Sequence, residues 1–235
     1  MTIRPLLAPL FGLGLLLGTS AAIAAPPTGF TATYKVSQGG EPMGEATVRL
    51  RAGGKGEWIY SKDVKGTGGL AAMLGASVKE TSRFRWKGDV PEALSYDYQL
   101  QAAIKNKQRH MVVDWVSHQA TVDEGKGAHT YPAISGMVER NTTALALGLA
   151  LRDGKQEIAL PVAVRQEVQT QRFKVVGKET IKVPAGSFNA VRIDRTDADR
   201  DFSAWYAPDR YPLPLKLSQH DGGDMVMELV SYRQP

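Results

Sequence analysis

Cysteine is absent from this chain of 235 residues, and its absence excludes several chemistries. The protein has no disulfide to stabilise it in an oxidising compartment and no thiol for nucleophilic catalysis. It also lacks the cysteine that carries the lipid of a bacterial lipoprotein. The fold must therefore depend on a hydrophobic core, and a chain of this length buries roughly 70% of the surface that its unfolded form exposes. One domain accounts for the length.

A strong excess of one charge is also absent. The chain carries 29 Lys+Arg against 24 Asp+Glu, which gives a net charge of +5. The densest basic run, Lys105–His110, is short, whereas a nucleic-acid-binding protein gathers its cations along one stripe. We therefore expect no nucleic-acid partner, and we interpret this run as a solvated strand end or turn.

One long uncharged segment is present, from Pro5 to Ala25. Leucines fill its centre, and the following Ala22-Ile23-Ala24 fits the A-x-A cleavage pattern. The pattern predicts a secretory signal peptide, residues 1–24, cleaved after Ala24, so that residues 25–235 form a single all-β periplasmic domain without a stable membrane anchor. An uncleaved anchor is the alternative, because about 20 apolar residues span a bilayer. Prolines and glycines within the segment weaken such a span.

Short segments of alternating apolar and polar residues recur from Phe30 onwards, as in antiparallel β structure. The first segment has apolar residues on one face, at Phe30, Ala32, Tyr34 and Val36. The predicted strands are 30–36, 46–51, 58–64, 78–86, 94–100, 108–116, 119–123, 157–164, 167–176, 179–183, 190–195, 201–207, 213–219 and 224–232. They predict a mostly β fold: a single antiparallel curved sheet, a β-roll or a partly open barrel, with one or two short helices.

Two segments depart from this pattern, residues 69–76 and 141–152. Both are rich in alanine and leucine and favour helix. Asn141 or Thr142 is suited to cap the second helix, and Asp153-Gly154 to end it. The leucines of this segment also recur at every second position, so a buried strand is the alternative.

Two motifs resemble functional sites but lack essential parts of them. The run Gly66–Ala71 matches the GxGxxA pattern of dinucleotide-binding loops, but the helical stretch after it is short and the next strand is too polar for a buried parallel sheet. The acidic run 197–201 has the carboxylate spacing that opens a calcium loop. Phe202 and Pro208 stand where that loop needs glycine and glutamate. We interpret the first as a flexible glycine loop and the second as a hairpin tip.

Metal and nucleophile motifs are also missing. His110, Asp114 and His118 fall on one face of an unbroken strand, yet residues four apart in a strand lie about 13 Å apart and cannot share one metal. No serine fits the GxSxG or SxxK pattern. We therefore expect no catalytic residues of these classes, no metal and no cofactor.

The last third of the chain contains its most distinctive runs, Val183–Val191 (VPAGSFNAV), Trp205–Asp209 (WYAPD) and Leu213–Lys216. With the opening Phe30–Tyr34 and the apolar segment 141–152, they make the chain similar to the exported bacterial family catalogued as domain of unknown function 3108. The resemblance implies a periplasmic, mostly antiparallel curved sheet or β-roll. It implies no established activity and supplies no catalytic residues.

The aromatic residues of the predicted strands are the candidate site residues, either as ligand contacts or as core. They are Trp58, Trp86, Trp115, Trp205 and Tyr206. The leading hypothesis is a periplasmic cell-envelope binding or accessory protein that holds an apolar or amphiphilic ligand, such as an envelope lipid, or docks on another envelope protein. An envelope hydrolase acting on lipid or glycan, which needs carboxylates about 5 to 9 Å apart, and a purely structural partner protein are the alternatives.

Overall fold

The computed structural model of the protein describes residues 27–198, 202–220 and 224–235. The predicted signal peptide and its cleavage site after Ala24 lie outside the described residues. Within these ranges fifteen strands form one sheet, which two helices accompany. No helix in this part of the chain is both long and apolar enough to cross a membrane.

The strands and helices follow one another along the chain with short connections. In chain order they are β1 Phe30–Gln38, β2 Glu41–Gly54, β3 Glu57–Gly66, α1 Gly69–Met73, β4 Ser77–Lys87, β5 Val90–Ala102, β6 Lys105–Asp114, β7 Gln119–Asp123, β8 Ala128–Pro132, β9 Val138–Glu139, α2 Thr143–Arg152, β10 Glu157–Val164, β11 Glu167–Val183, β12 Gly186–Arg195, β13 Phe202–Tyr206, β14 Pro214–Gln219 and β15 Met225–Arg233.

The sheet is an antiparallel meander in which β1 pairs with both β2 and β15, and β9 and β10 form its parallel pair. Its two edge strands are β8 and β9. Tyr131 of β8 packs in the same cluster as Ala163 of β10, and the Ala93 N–H of β5 donates to the Met137 carbonyl next to β9 at 2.8 Å. The sheet therefore rolls up until its edges pack together, without closing its hydrogen-bond ladder. The predicted curved antiparallel sheet is confirmed.

Alternation sets which face of each strand points inward. Phe30, Ala32, Tyr34 and Val36 are buried as predicted, while Lys35 between them is exposed. On β5 the prediction that Leu94 begins the apolar face is wrong, because a β-bulge there pairs Ala93 with Phe84 and buries the alanine instead. An extra residue in one strand changes the phase of the alternation, so the inward positions on its two sides differ.

Three further predictions need correction. Strands β8 and β9 were not predicted, because their segments are short and β9 has only two residues. The two strands predicted at 167–176 and 179–183 are one strand, β11, with a bulge at Val176-Gly177. The strand predicted at 108–116 ends at Asp114, whose carboxylate accepts the backbone N–H of Val116 at 2.8 Å and opens a turn.

Helix α2 lies inside the roll, and the helical prediction for this segment is confirmed over the buried-strand alternative. Its leucines are all buried and contact both of the large core clusters, at Leu145, Leu147, Leu149 and Leu151. A helix that is apolar all round belongs in a core. A Cβ on Gly148 would lie 2.1 Å from the carbonyl oxygen of Pro212, so α2 contacts the neighbouring loop backbone directly.

The turns of the meander form two rims. The helix-1 rim comprises the 39–40 turn, α1, the 103–104 turn and the 124–127 loop; the far rim comprises the 55–56, 88–89 and 115–118 turns. Helix α1 lies close to the chain beneath it. A Cβ on Gly68 would be 2.4 Å from the Pro42 carbonyl oxygen, and one on Gly66 would be 2.7 Å from the Ala71 carbonyl oxygen. These two glycines therefore permit close packing, where the sequence predicted only a flexible loop.

Candidate functional site

A cluster of polar side chains is buried inside the roll where α2 begins. We call it the interior polar cluster: Glu80 and Ser82 of β4, Tyr96 of β5, Glu139 of β9, and Asn141. Alternation places Glu80 and Ser82 on the inward face of β4, because Phe84 on the same face is fully buried. Burying charged groups is costly unless they are paired and hydrogen-bonded.

Glu80 is held by cations and a phenol. Tyr96 donates its hydroxyl hydrogen to Oε2 at 2.6 Å, Lys62 Nζ lies 2.7 Å from Oε1, and Arg140 Nε lies 3.7 Å from Oε2. Burial by itself would raise the pKa of Glu80. The charges of Lys62 and Arg140, with the hydrogen bonds from Lys62 and Tyr96, outweigh burial and lower its pKa from 4.5 to about 2. Glu80 is therefore ionised at neutral pH.

Glu139 is surrounded by hydrogen-bond donors, and no cation of the described residues forms an ion pair with it. It accepts the backbone N–H groups of Asn141 at 2.7 Å and Thr142 at 3.0 Å, at the start of α2. Burial raises its pKa above the usual value, against the hydrogen bonds from Ser82 and these two residues, and the charge of Glu80 raises it further. The pKa values of the two carboxyl groups are thus shifted in opposite directions.

Asn141 joins the start of α2 to the sheet. Its Nδ2 donates to Ser82 Oγ at 2.9 Å and to the Tyr60 carbonyl oxygen at 3.4 Å. The side chain of Glu80 is 2% exposed, and Glu139 is 1% exposed. Lys62 and Arg140 contact the carboxylate of Glu80, so a substrate would have to displace one of them to reach it. This geometry suits a latch that fixes α2 within the roll.

A third buried carboxylate ties the far rim together. Glu92 of β5 accepts from Arg85 Nε at 2.8 Å and from the Gly136 backbone N–H at 2.8 Å. Burial raises its pKa, but these hydrogen bonds and the charges of Arg85 and Lys87 outweigh burial and lower it. Glu92 therefore fastens the segment between β8 and β9 to the body of the sheet.

The predicted aromatic residues occupy separate places. Trp58 and Trp86 meet on the inward face near the far rim, with ring centroids 5.9 Å apart, and Phe84 packs against Trp86 at 4.8 Å. Trp115, also near the far rim, donates its Nε1 hydrogen to the Ala93 carbonyl oxygen and lies under the Arg85 guanidinium. The structure brings together Trp58 and Trp86 and leaves Trp115 beyond them.

The remaining two candidates point to opposite faces of β13. Tyr206 is fully buried and donates its hydroxyl hydrogen to the Ala144 carbonyl oxygen at 3.0 Å, beside the start of α2. Trp205 lies on the outer face, between Arg192 and Lys216, and its Nε1 hydrogen bonds Glu179 at 2.6 Å. Trp205 therefore does not join an inward-facing aromatic surface.

Sequence motifs with metal-like spacing are also dispersed. His110 pairs with Asp97 on the neighbouring strand, while His118 lies in the turn after β6. Asp197 pairs with Arg195 and accepts the Arg172 N–H, and the two later carboxylates of its run lie outside the described residues. Within the described ranges no three His, Asp or Glu side chains are grouped to hold a metal ion.

Motif reasoning overlooked the interior polar cluster because its residues come from distant segments that form no motif. One signal was present. The strand predicted at 78–86 carries Glu80 and Ser82 in phase with its apolar residues Val78, Phe84 and Trp86, which is unusual for a strand with a buried face. The partners Glu139 and Asn141 lie about sixty residues away and give no comparable signal.

Comparison with known proteins gives a family and a fold. A family model described as a protein of unknown function, DUF3108, matches residues 33–230. The crystal structure of a β-barrel-like protein of another domain of unknown function, DUF1849, from Brucella abortus is similar, with a TM-score of 0.56 at 10% identity, covering 90% of this chain and all of that one. No curated protein matches the chain.

Two other solved structures align at lower TM-scores. One is an exported protein with a YmcC-like fold from Bacteroides fragilis, with a TM-score of 0.33 at 11% identity over 89% of this chain and 97% of that one. The other is a lipoprotein from Parabacteroides distasonis, with a TM-score of 0.31 at 10% identity over 90% and 98%. At these TM-scores they add nothing to the fold assignment, which follows from the DUF1849 protein.

Proposed function

The chain belongs to the DUF3108 family, whose function is unknown, and we propose that it is an exported cell-envelope accessory protein that binds through its outer surface and rims. It does not enclose a ligand within its roll. Of the two binding modes that the sequence allows, an internal apolar site and surface docking, this proposal favours docking.

The position of α2 carries the proposal. In curved sheets and barrels a ligand site is a concave, mostly apolar space, whereas small rolls are filled by their own side chains. Here Leu145 and Leu149 belong to the buried cluster that includes the inward residues of β1, β2 and β4, and Leu147 belongs to the cluster of β10, β11 and β12. The helix thus occupies the space that an acyl chain would take.

The interior polar cluster supports the same conclusion. Glu139 and Asn141 bond the first turn of α2 to β3 and β4 through backbone and side-chain hydrogen bonds. Removing α2 to admit a ligand would leave these buried groups without partners, and each unsatisfied buried group costs about 1–3 kcal/mol. The helix is therefore a fixed part of the core.

Export is supported by the sequence of residues 1–24, in which Arg4 is followed by an uncharged leucine-rich segment with an A-x-A pattern at its end. Cell fractionation with intact-mass measurement tests this step. We expect a periplasmic protein that begins at Ala25. A protein that keeps Met1 in the membrane fraction would contradict export as a soluble protein.

Tryptophan fluorescence tests the binding mode. Trp58 and Trp86 face the interior, so an enclosed ligand would change their emission. We expect no saturable change when fatty acids, phospholipid or lipopolysaccharide are titrated at micromolar concentration. The double variant Trp115→Phe, Trp205→Phe removes the far-rim and outer tryptophans, so that any change can be assigned to Trp58 and Trp86. A saturable change that persists in this variant would overturn the proposal.

A glycan- or lipid-cleaving hydrolase is the second candidate, since the pKa values of Glu80 and Glu139 are shifted in opposite directions, as an acid and a base require. Assays of the wild type and Glu139→Gln on peptidoglycan fragments and lipid esters test it. Cleavage by the wild type that is lost in the variant, with folding intact, would favour this candidate. Absence of cleavage in both would remove it for these substrates.

A further inference from the structure

Large apolar side chains are exposed together at the helix-1 rim. Leu70 and Met73 of α1 are 67% and 83% exposed, and Ile104 in the neighbouring turn is 84% exposed. The Ala103 N–H donates to the Leu74 carbonyl oxygen at 3.0 Å, which holds this turn against the end of α1. We call Leu70, Met73 and Ile104 the rim patch.

The rim patch is held in place by the backbone. Helix α1 buries none of its side chains. Its backbone nevertheless packs closely against Gly66 at the end of β3, and Gly68, just before the helix, packs closely against β2. The N–H groups of Thr67 and Gly68 both donate to the Met43 carbonyl oxygen, at 3.0 and 3.1 Å. Single exposed apolar residues are ordinary, but a fixed group of them marks an interaction surface.

Three exposed lysines lie on the strands that adjoin the rim patch. Lys105 and Lys107 follow Ile104 on β6, and Lys79 lies on β4, the strand that begins after α1; all three are exposed. Within the described ranges none of them forms an ion pair, and Asp63, opposite Lys79 in the ladder, is held by Arg49 at 3.0 Å. Their charges are therefore free to meet an anionic surface.

We propose that the rim patch docks the protein on an anionic phospholipid bilayer. This inference rests on the proposed function and names its partner. Leu70, Met73 and Ile104 enter the boundary between headgroups and acyl chains, while the lysines face the lipid phosphates. An anionic bilayer satisfies both features along one rim, because its headgroup boundary accepts the exposed apolar residues and its phosphates accept the unpaired cations.

Vesicle co-sedimentation of the exported protein tests the inference. The probes are vesicles of phosphatidylethanolamine with phosphatidylglycerol, and vesicles of phosphatidylcholine alone. We expect binding to the anionic vesicles that is at least tenfold stronger than to the neutral ones and that falls as salt is raised towards 1 M, where screening acts within about 3 Å. Equal binding to both vesicles would overturn the role of the lysines.

Two sets of variants separate the apolar and cationic contributions. The triple variant Leu70→Ser, Met73→Ser, Ile104→Ser and the double variant Lys105→Glu, Lys107→Glu are each expected to weaken anionic-vesicle binding at least tenfold. Val116→Ser is the matched control, since Val116 is 94% exposed on the far rim. It is expected to bind like the wild type, and thermal melts establish that every variant is folded. A control that loses binding as strongly as the triple variant would contradict the location.

A fluorescent reporter variant tests the same inference by a gain of signal, without relying on variants that weaken binding. The described helix-1 rim contains no tryptophan, so the wild-type emission is expected to stay unchanged on anionic vesicles. Met73→Trp places an indole in the rim patch, and a blue shift on anionic vesicles is expected. No shift would overturn the inference. If the protein shows no shift but crosslinks to an envelope protein in cells, the proposed function stands and the lipid bilayer is not its partner. An enclosed ligand detected by Trp58 and Trp86 would instead contradict the proposed function itself.

Discussion

Glu80 shows how a single inward-facing polar residue is accommodated in an apolar sheet. Its carboxylate is satisfied by Tyr96, Lys62 and Arg140, and the last of these lies over the Tyr98 ring with its side chain 56% exposed. Alternation puts residue 80 in phase with the buried Phe84, a signal that is present in the sequence. The sequence could not predict the partners, because Arg140 comes from a segment that only the rolled sheet brings near.

The stability contributed by Glu80 depends on pH in a direction that its pKa fixes. Because folding lowers the pKa of Glu80 from 4.5 to about 2, its contribution is complete above about pH 4.5 and is lost as the pH falls towards 2. The shift corresponds to about 3 kcal/mol. Glu80→Gln is expected to destabilise the protein at pH 7, and the difference from the wild type is expected to shrink between pH 5 and about pH 2.5.

Denaturant unfolding at several pH values measures this difference. Glu57→Gln is the matched control, because Glu57 is 39% exposed and faces Arg83 at 3.6 Å. Its free energy of unfolding is expected to change by less than about 0.5 kcal/mol at every pH. A Glu80→Gln curve that runs parallel to the wild type over the whole range would contradict the pKa of Glu80 given above.

Gly148 provides a second test at the scale of one residue. A Cβ there would lie 2.1 Å from the Pro212 carbonyl oxygen and 3.2 Å from Tyr206 Cε1. Gly148→Ala is therefore expected to destabilise the protein by about 1–3 kcal/mol, despite the higher helix propensity of alanine. Gly177→Ala is the control, since no atom lies within 4 Å of its added Cβ. Equal thermal midpoints for the two variants would show that α2 is not packed against this loop.

At the scale of elements, the local composition and alternation of the sequence predict most of the helices and strands. Alanine and leucine content identified both helices, and alternation identified most strands. The sequence did not predict the bulges. The bulge at Leu94 makes Ala93 the inward residue in its place, and the bulge at Val176 lets β11 run through Gly177 as one strand. Strand β9 is two residues long and exists only because β10 is beside it.

Paired leucine substitutions in the two helices test which one belongs to the core. Leu147 of α2 is fully buried, whereas Leu70 of α1 is 67% exposed. Leu147→Ala is expected to lower the free energy of unfolding by about 2–5 kcal/mol, through lost burial and an unfilled cavity. Leu70→Ala is expected to change it by less than about 0.5 kcal/mol. Thermal or urea unfolding decides, and similar effects at the two positions would contradict the buried position of α2.

For the whole molecule, the sequence predicted a curved antiparallel sheet but not what fills it. The similarity to a β-barrel-like protein agrees with the rolled sheet. Whether such a roll holds a ligand depends on where α2 lies, and its composition alone allows a surface helix or a buried one. The contacts of its leucines with strands from both halves of the sheet place it inside.

The most direct test of the filled roll is native mass spectrometry of the protein, freshly purified without detergent. The leucines of helix α2 fill the centre of the roll, so we predict a single species with the mass of the polypeptide alone. A species heavier by the mass of a lipid, which disappears after extraction with organic solvent and reappears when that lipid is added back, would contradict the account.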